Sequence, residues 1–358
     1  GKVVVNATGI WTDEVLKLAR IDNTIDSKID SKIDNTIDYK IYNKIDTKID
    51  DTKDGNIIRP TKGVHLVIKR ERLGNNNAFG LRSIDDGRFF FVLRRNDYSY
   101  IGTTDTDYNE NLDSPYCDKK DCDYLLNTVN LIFPDAKLGY KDIISTYAGV
   151  RPLVRQQGKS ESSVSRKHVI IDHKDRFVTI AGGKLTIFRK MAQDLILFLQ
   201  KTGYLKGKSN RKNLSKKRYL ISIKPDIPYN QNLVKHGITK QYYDYCIRQY
   251  GKGAFIIFDY IIKNKDYGQR FIEDLLLTKA EVIYHFNYEM ALKIEDILER
   301  RTESNCLLHY GKQRELARKV AQFIHQFFGF DEDDLNNQIK QYIEKIDKSV
   351  EFIRENIN

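Results

Sequence analysis

No G-x-G-x-x-G occurs anywhere in the 358 residues, so the glycine fingerprint that opens a dinucleotide-binding fold is missing from the chain. Cysteine is scarce. Cys117, Cys122, Cys246 and Cys306 are too few and too scattered for a disulfide framework. Cys117 and Cys122 have no second Cys or His pair nearby, so a zinc site is not expected. No run of about 18 apolar residues is present, so no membrane-spanning helix is expected. A leader or transit segment is not expected either, because residue 1 already lies inside a strand-like run.

What is present can build a sizeable core, since hydrophobic residues make up 41% of the chain. The length exceeds one ordinary domain and points to two or three units. Sixty Lys and Arg against 49 Asp and Glu leave a net charge of +11. That balance favours anionic partners such as phosphorylated metabolites, acidic lipid headgroups or nucleic acid, and equally fits a soluble protein with basic loops.

The first residues, KVVVNATGIWTDEVLKLAR (Lys2 to Arg20), read as a buried parallel strand that turns through small residues into a helix. From Ile21 to Asp54 isoleucine recurs every fourth position, at 21, 25, 29, 33, 37, 41, 45 and 49. On a helix each four-residue step overshoots a turn by about 40°, so these side chains spiral; in an extended chain they share one face. The block reads as a mobile insertion without chemistry, with an edge hairpin as second choice. Next come the β-rich runs GVHLVIKR, RFFFVLRR and YSYIGTTD, separated by GNNN and DDG turns, as in an antiparallel sheet. Residues 114 to 133 are expected to be helical, with Tyr124, Leu125, Val129 and Ile132 on one face. The segments YAGVRPLV and VTIAGGKLTIFRKMAQDLILFL return to strand, tight turn and helix. Residues 201 to 219 hold eight basic residues and no acidic one, and read as a solvated linker. Beyond about Lys235 the pattern is helical. Its clearest stretch is 281 to 302, where Val282, Met290, Ile294 and Leu298 are spaced for one face.

In AGGKLTIFRK, Gly182 and Gly183 follow an apolar strand and open a helix, a place where free N–H groups favour an anion. Alone, that turn says little. Five segments in order say more: NATGIW (Asn6 to Trp11), RPTKGVH (Arg59 to His65), IGTTDTDY (Ile101 to Tyr108), AGVRPL (Ala148 to Leu153) and AGGKLTIFRKMA (Ala181 to Ala192). In this order the chain resembles the flavin-dependent glycerol-3-phosphate dehydrogenases. Residues 281 to 302 resemble that family's helical cap domain. Ile10 stands in place of the family's usual proline, and Ile187 and Phe188 in place of a Thr-Tyr pair.

The resemblance implies a mixed α/β and α+β architecture, an FAD-dependent oxidoreductase fold with a C-terminal all-helical domain. The expected divisions are 1–20, part of a Rossmann-like FAD-binding domain; 21–56, the insertion; 57–147, an antiparallel-sheet substrate domain; 148–200, a return to the FAD domain; 201–234, a basic linker; and 235–358, the helical domain. It also implies that the family's G-x-G-x-x-G region and main flavin cradle lie outside this chain, so the polypeptide alone is expected to bind FAD weakly and be inactive.

The implied activity is oxidation of sn-glycerol 3-phosphate to dihydroxyacetone phosphate, with hydride passing to FAD and electrons to a quinone. A dianionic phosphate calls for fixed positive charge, preferably a bidentate arginine. Arg151, held toward extended geometry by Pro152, is the first candidate and Arg166 the second. His65 is the candidate acceptor for the C2 hydroxyl proton, because imidazole titrates near neutral pH. Thr103, Thr104 and Lys184 are the other substrate candidates, Lys184 serving flavin or phosphate. Ala7, Thr8, Gly9, Gly182, Gly183, Leu185 and Thr186 are the flavin-facing candidates. Asp105 and Asp107 read as solvated or capping carboxylates, and no metal is expected.

Two other functions share these observations: an oxidase that passes electrons to oxygen, and a non-catalytic basic module. No recognised nucleic-acid motif accompanies the basic run, so nucleic acid is not an expected partner. Contact between the linker and an anionic membrane is expected, and a second copy of the chain, as a homodimer, is a candidate partner. The isoleucine-, asparagine- and lysine-rich block suggests an AT-rich eukaryotic genome, hence a mitochondrial inner-membrane location, with the bacterial cytoplasmic membrane as alternative.

Overall fold

Most strands and helices form where the short β-rich runs and amphipathic stretches predict them, in a computed structural model that describes residues 1–21, 56–83, 86–155, 167–206 and 228–357. The body of the isoleucine block, Arg166 and most of the basic stretch lie outside the described residues. In chain order the elements are β1 (Val4–Asn6), α1 (Thr12–Leu18), β2 (Ile58–Lys69), β3 (Phe79–Arg82), β4 (Phe89–Arg95), β5 (Tyr98–Gly102), β6 (Thr106–Asp107), α2 (Lys119–Ile132) and β7 (Ile143–Val154). There follow β8 (His168–Asp172), β9 (Phe177–Gly182), α3 (Phe188–Lys201), α4 (Gln231–Lys235), α5 (Lys240–Tyr250), α6 (Gly253–Lys263), α7 (Lys279–Tyr288), α8 (Ser304–Leu307), α9 (Gln313–Phe328) and α10 (Glu332–Ile357). They group into two units. The first comprises Gly1–Val64, Thr103–Pro115 and Ala148–Arg211; the second comprises His65–Gly102, Tyr116–Tyr147 and Lys212–Asn358.

In the first unit a three-stranded sheet runs in the order β1-β9-β8. β1 is parallel to β9, with Val4 opposite Phe177 and Asn6 opposite Thr179, and β9 is antiparallel to β8. Leu16 of α1 packs with Ile57, Ile58, Val154, Val169 and Ala181 in a local core. Leu16 is fully buried, which contributes about 1.5–3 kcal/mol of transfer free energy. The Asp13 carboxylate accepts the Ile57 and Ile58 N–H groups at 2.8 and 3.0 Å, so α1 also holds the start of β2. Within this unit, Thr61 and Lys62 of β2 pair with Asp107 and Thr106 of β6.

In the second unit β3, β4, β5 and the later residues of β2 form an antiparallel sheet. β4 alternates as a half-covered strand should: Phe90 and Val92 are buried, while Phe89, Phe91 and Leu93 are exposed. The helix expected from residue 114 starts at Lys119, because Asp118 is extended and closes a capping box with Asp121. Leu125 and Val129 are fully buried, whereas Tyr124 and Ile132 are only partly so.

The C-terminal part of this unit is helical and holds two apolar clusters. One centres on α5 and α6, the other on α7 and α9 with the following helix. The helix expected to run through 281–302 is broken. α7 stops at Tyr288, Met290 has φ +53° and is 82% exposed, and a π-helical turn covers Asp296–Arg301. The cause is side-chain capping: the Asp296 carboxylate takes the Leu292 and Lys293 N–H groups at 2.9 and 3.0 Å, starting a new turn. Val282, Ile294 and Leu298 are fully buried, and Met290 is not a core residue.

A buried polar knot joins α5 to α7. Glu281 is completely buried and accepts from the hydroxyls of Tyr242, Tyr245 and Tyr250 at 2.9, 3.0 and 2.6 Å. It also accepts the N–H of Thr278 at 2.9 Å, as the third residue of a capping box. Burial, followed by the neighbouring carboxylate, pushes all three tyrosine hydroxyls up.

Candidate functional site

The first-unit sheet brings two of the five segments to one end. β1 and β9 are parallel neighbours, so the turns that leave their C-terminal ends, Ala7–Gly9 and Gly182–Thr186, lie at the same edge. Such an edge is where open α/β sheets take ligands. Asn6 is 1% exposed and ties the first turn: its Nδ2 donates to the Thr12 carbonyl at 3.0 Å, and its Oδ1 accepts the Thr8 hydroxyl at 2.6 Å. Gly9, Gly182 and Gly183 have φ of +64°, +71° and +79°, the left-handed region that glycine tolerates. Nothing lies within 4 Å of where a Gly9 Cβ would stand, and Ala7 and Thr8 are exposed. A Cβ at Gly182 would instead meet the Lys167 carbonyl at 2.8 Å, so this glycine serves close packing of β9 on its neighbour.

The second turn differs from expectation in one respect. The helix does not open directly after Gly183; Lys184 is extended and a single 3-10 turn, Leu185–Ile187, precedes α3. No side chain caps either N-terminus. The Ile187 and Phe188 N–H groups are taken by the Lys184 and Leu185 carbonyls, so the N–H groups left without an intrahelical acceptor are those of Leu185 and Thr186. Lys184, Leu185 and Thr186 are exposed, Leu185 by 89%. Behind this turn His168 of β8 meets the buried Asp194 of α3 at 3.2 Å, and Lys190 reaches the same carboxylate at 2.5 Å. This brace fixes α3 against the sheet. Its members lie 26 residues apart in sequence, with no motif to flag them.

The other three segments meet at one guanidinium in the same unit. Arg151 lies on β7; its Nη1 donates to Asp105 Oδ1 at 3.2 Å, and its Nη2 to Thr103 Oγ1 at 2.9 Å and the Thr104 carbonyl at 3.1 Å. Thr104 is buried, and its hydroxyl accepts the Val64 N–H at 3.0 Å. A Cβ on Gly63 would stand 2.1 Å from Arg151 Nη2, so the guanidinium lies flat against bare backbone. RPTKGVH, IGTTD and GVRPL therefore supply, in turn, the surface, the acceptors and the cation. The Arg151 side chain keeps 24% of its exposure, and a planar fork held in this way suits an oxyanion such as phosphate.

Both carboxylates read as solvated or capping are ion-paired; Asp107 is solvent-exposed as expected, whereas Asp105 is buried. Asp105 meets Arg151, while Asp107 takes Arg59 through two bonds of 2.6 Å each. Those bonds hold the Asp107 carboxyl below its ordinary range. Lys62 is 6% exposed and sets its ammonium 5.9 Å from the Tyr108 ring centre. Sequence reasoning passed over Gly63, Lys62 and Asp105 as chemistry. The signal for Gly63 was its place inside RPTKGVH.

His65 stands in the second unit. It faces Gly102 across β2 and β5, and Phe91 of β4 faces the other side of Gly102, so the three form one row on the sheet. The Tyr147 ring lies 5.7 Å from the imidazole at 39°. Thr103, Thr104 and Arg151 are brought together, Lys184 belongs to the glycine turn, and Arg166 lies outside the described residues.

Two family models match the chain. One, described as FAD dependent oxidoreductase, covers residues 44–185, and one described as C-terminal domain of alpha-glycerophosphate oxidase covers 179–335. The chain is 35% identical to the aerobic glycerol-3-phosphate dehydrogenase of Staphylococcus saprophyticus over 200 residues, 56% of this chain and 30% of the relative. It is 30% identical to that of Staphylococcus aureus over 309 residues, 82% of this chain and 53% of the relative. The chain thus spans about half the length, or less, of these curated relatives. The solved glycerol-3-phosphate dehydrogenase from Bacillus halodurans, complexed with FAD, superposes with a TM-score of 0.70 at 22% identity, covering 97% of this chain and 62% of its own, a likeness of fold.

Proposed function

We propose, for a chain that belongs to the family of FAD-dependent glycerol-3-phosphate dehydrogenases, that it contributes the substrate clamp and part of the flavin contact to an enzyme oxidising sn-glycerol 3-phosphate to dihydroxyacetone phosphate. The observation that carries this reading is the convergence of three separate segments on Arg151, with its guanidinium oriented by Asp105, Thr103 and the Thr104 carbonyl. The open space beside Gly9 and the uncapped N–H groups of Leu185 and Thr186 fit a flat, partly anionic cofactor such as FAD. When bound, FAD supplies the acceptor for the C2 hydride.

The chain's own residues do the remaining work. Arg151 binds the substrate phosphate, with Arg166 as a second cation. His65 takes the hydroxyl proton as the C2 carbon becomes a ketone. Thr103 and Thr104 line the substrate position. Lys184 adds a point charge at the glycine turn, where Ala7, Thr8, Gly9, Gly182, Gly183, Leu185 and Thr186 contact the flavin. Anaerobic addition of glycerol 3-phosphate to the complete FAD-loaded enzyme that contains this chain should bleach its oxidised-flavin absorbance; a spectrum that stays unchanged would overturn the reading.

Electron delivery to a quinone and contact with an anionic membrane surface belong to the same proposal, the membrane contact being supported by the +11 net charge. Among the described residues no helix is long and apolar enough to cross a membrane. The named relatives are bacterial, which takes support from the mitochondrial inner membrane and moves the proposed location to a bacterial cytoplasmic membrane. Reoxidation of the reduced flavin by a quinone analogue faster than by oxygen would separate dehydrogenase from oxidase.

A further inference from the structure

We propose that Gly63 and Asp105 are positioning residues that set the Arg151 guanidinium for phosphate, an inference that rests on Arg151 being the phosphate clamp. An arginine side chain is long and loses considerable rotamer freedom when fixed. Here much of that ordering is already made within the protein. Asp105 is 7% exposed and takes Nη1, while Thr103 and Thr104 take Nη2. Asp107, two residues on, is already engaged twice by Arg59, so the choice of carboxylate is settled by the fold.

Gly63 completes the arrangement for a reason unconnected with backbone freedom. Its φ is not among the left-handed values, so any residue could adopt its conformation. What excludes a side chain is the guanidinium, whose Nη2, Cζ and Nη1 lie 2.1, 2.5 and 2.6 Å from where a Cβ would stand. These atoms are the far end of a flexible side chain. Gly63→Ala should therefore displace Arg151 and leave the strand intact, which makes it a local probe of position.

Asp105 admits a sign test. If the carboxylate only offset the arginine charge, removing it would strengthen phosphate binding; if it positions the fork, removing it weakens binding. In the complete FAD-loaded enzyme that contains this chain, KM for glycerol 3-phosphate and the inhibition constant of inorganic phosphate would be measured for Gly63→Ala, Asp105→Ala and Arg151→Ala. Both positioning variants should raise both constants about 10-fold, the scale of a lost charge-assisted hydrogen bond, with kcat, flavin absorbance and melting temperature nearly unchanged. Asp105→Asn should show a smaller rise and serves if the alanine variant does not fold. Arg151→Ala weakening phosphate while the positioning variants bind it normally, or bind it more tightly, overturns the positioning inference and leaves the clamp standing. Unchanged constants in Arg151→Ala overturn the clamp itself.

Discussion

Arg151 and Glu281 are opposite solutions to holding a charged group in a fold. The arginine, in the first unit, is gripped by a carboxylate, a hydroxyl and a carbonyl, yet keeps a quarter of its side chain exposed. The glutamate, in the second, is completely buried and held by three tyrosine hydroxyls and a backbone N–H. The first leaves a face on which an incoming anion can exchange with water. The second is sealed, so its donors are spent on stability and on the angle between α5 and α7. Charge in a partly open setting suits binding, whereas charge in a closed one suits architecture.

Breaking the sealed knot should have the largest effect. Glu281→Ala removes the acceptor of three tyrosine hydroxyls and of the Thr278 hydroxyl and N–H. Tyr242 keeps Thr278 Oγ1 and Tyr250 keeps His285 Nε2 as a second partner, and each buried group left orphaned costs about 1–3 kcal/mol. A loss of at least about 3 kcal/mol in chemical unfolding is expected, and a loss below about 1 kcal/mol would show the knot to be dispensable. His65→Asn should lower kcat about 100-fold or more, the lower end for a general base, with flavin retained. Turnover at the parental rate would remove His65 from proton transfer. Arg151→Ala should lose about 2 kcal/mol of transition-state binding, seen as a drop in kcat/KM, without the global destabilisation of Glu281→Ala.

The smallest effect sharpens the comparison from a third ion pair. Arg59 holds the Asp107 carboxyl below its unfolded value, so its stabilisation is present above that unfolded value and is lost as pH falls through the lower folded one. With Asp107 45% exposed, screening reduces the contribution to about a few tenths of a kcal/mol. Asp107→Asn should therefore lose those few tenths of a kcal/mol at neutral pH, match the parent in strong acid, and so flatten the acid side of the stability profile slightly. A variant equally steep in acid would assign that slope to other carboxylates.

The legible parts of the molecule were those written locally. NATGIW and AGGKLT read as strand-turn units because alternation, small residues and glycines are consecutive, and both occupy strand ends. Arg151 was legible as a cation beside a proline. Its acceptors were not, because Asp105 lies 46 residues away and becomes a partner only through strand placement. Tyr242, Tyr245 and Tyr250 look like the aromatic face of a helix, and nothing in their spacing announces a carboxylate 31–39 residues downstream. Periodicity failed at Met290 for a related reason. Capping by Asp296 is a side-chain event that hydrophobic spacing does not record.

The Asp13 clasp on Ile57 and Ile58 has a consequence for heredity. Four-residue units repeated in a gene invite gain or loss of copies during replication. Leu16 accepts the Ile21 N–H at 3.1 Å on one side of the repeated block, and Asp13 fixes the chain again on the other. Doubling the length of a connection costs only about 0.6 kcal/mol in closure entropy. Natural variants that differ in the number of repeats should therefore keep β2, and with it Gly63, in place.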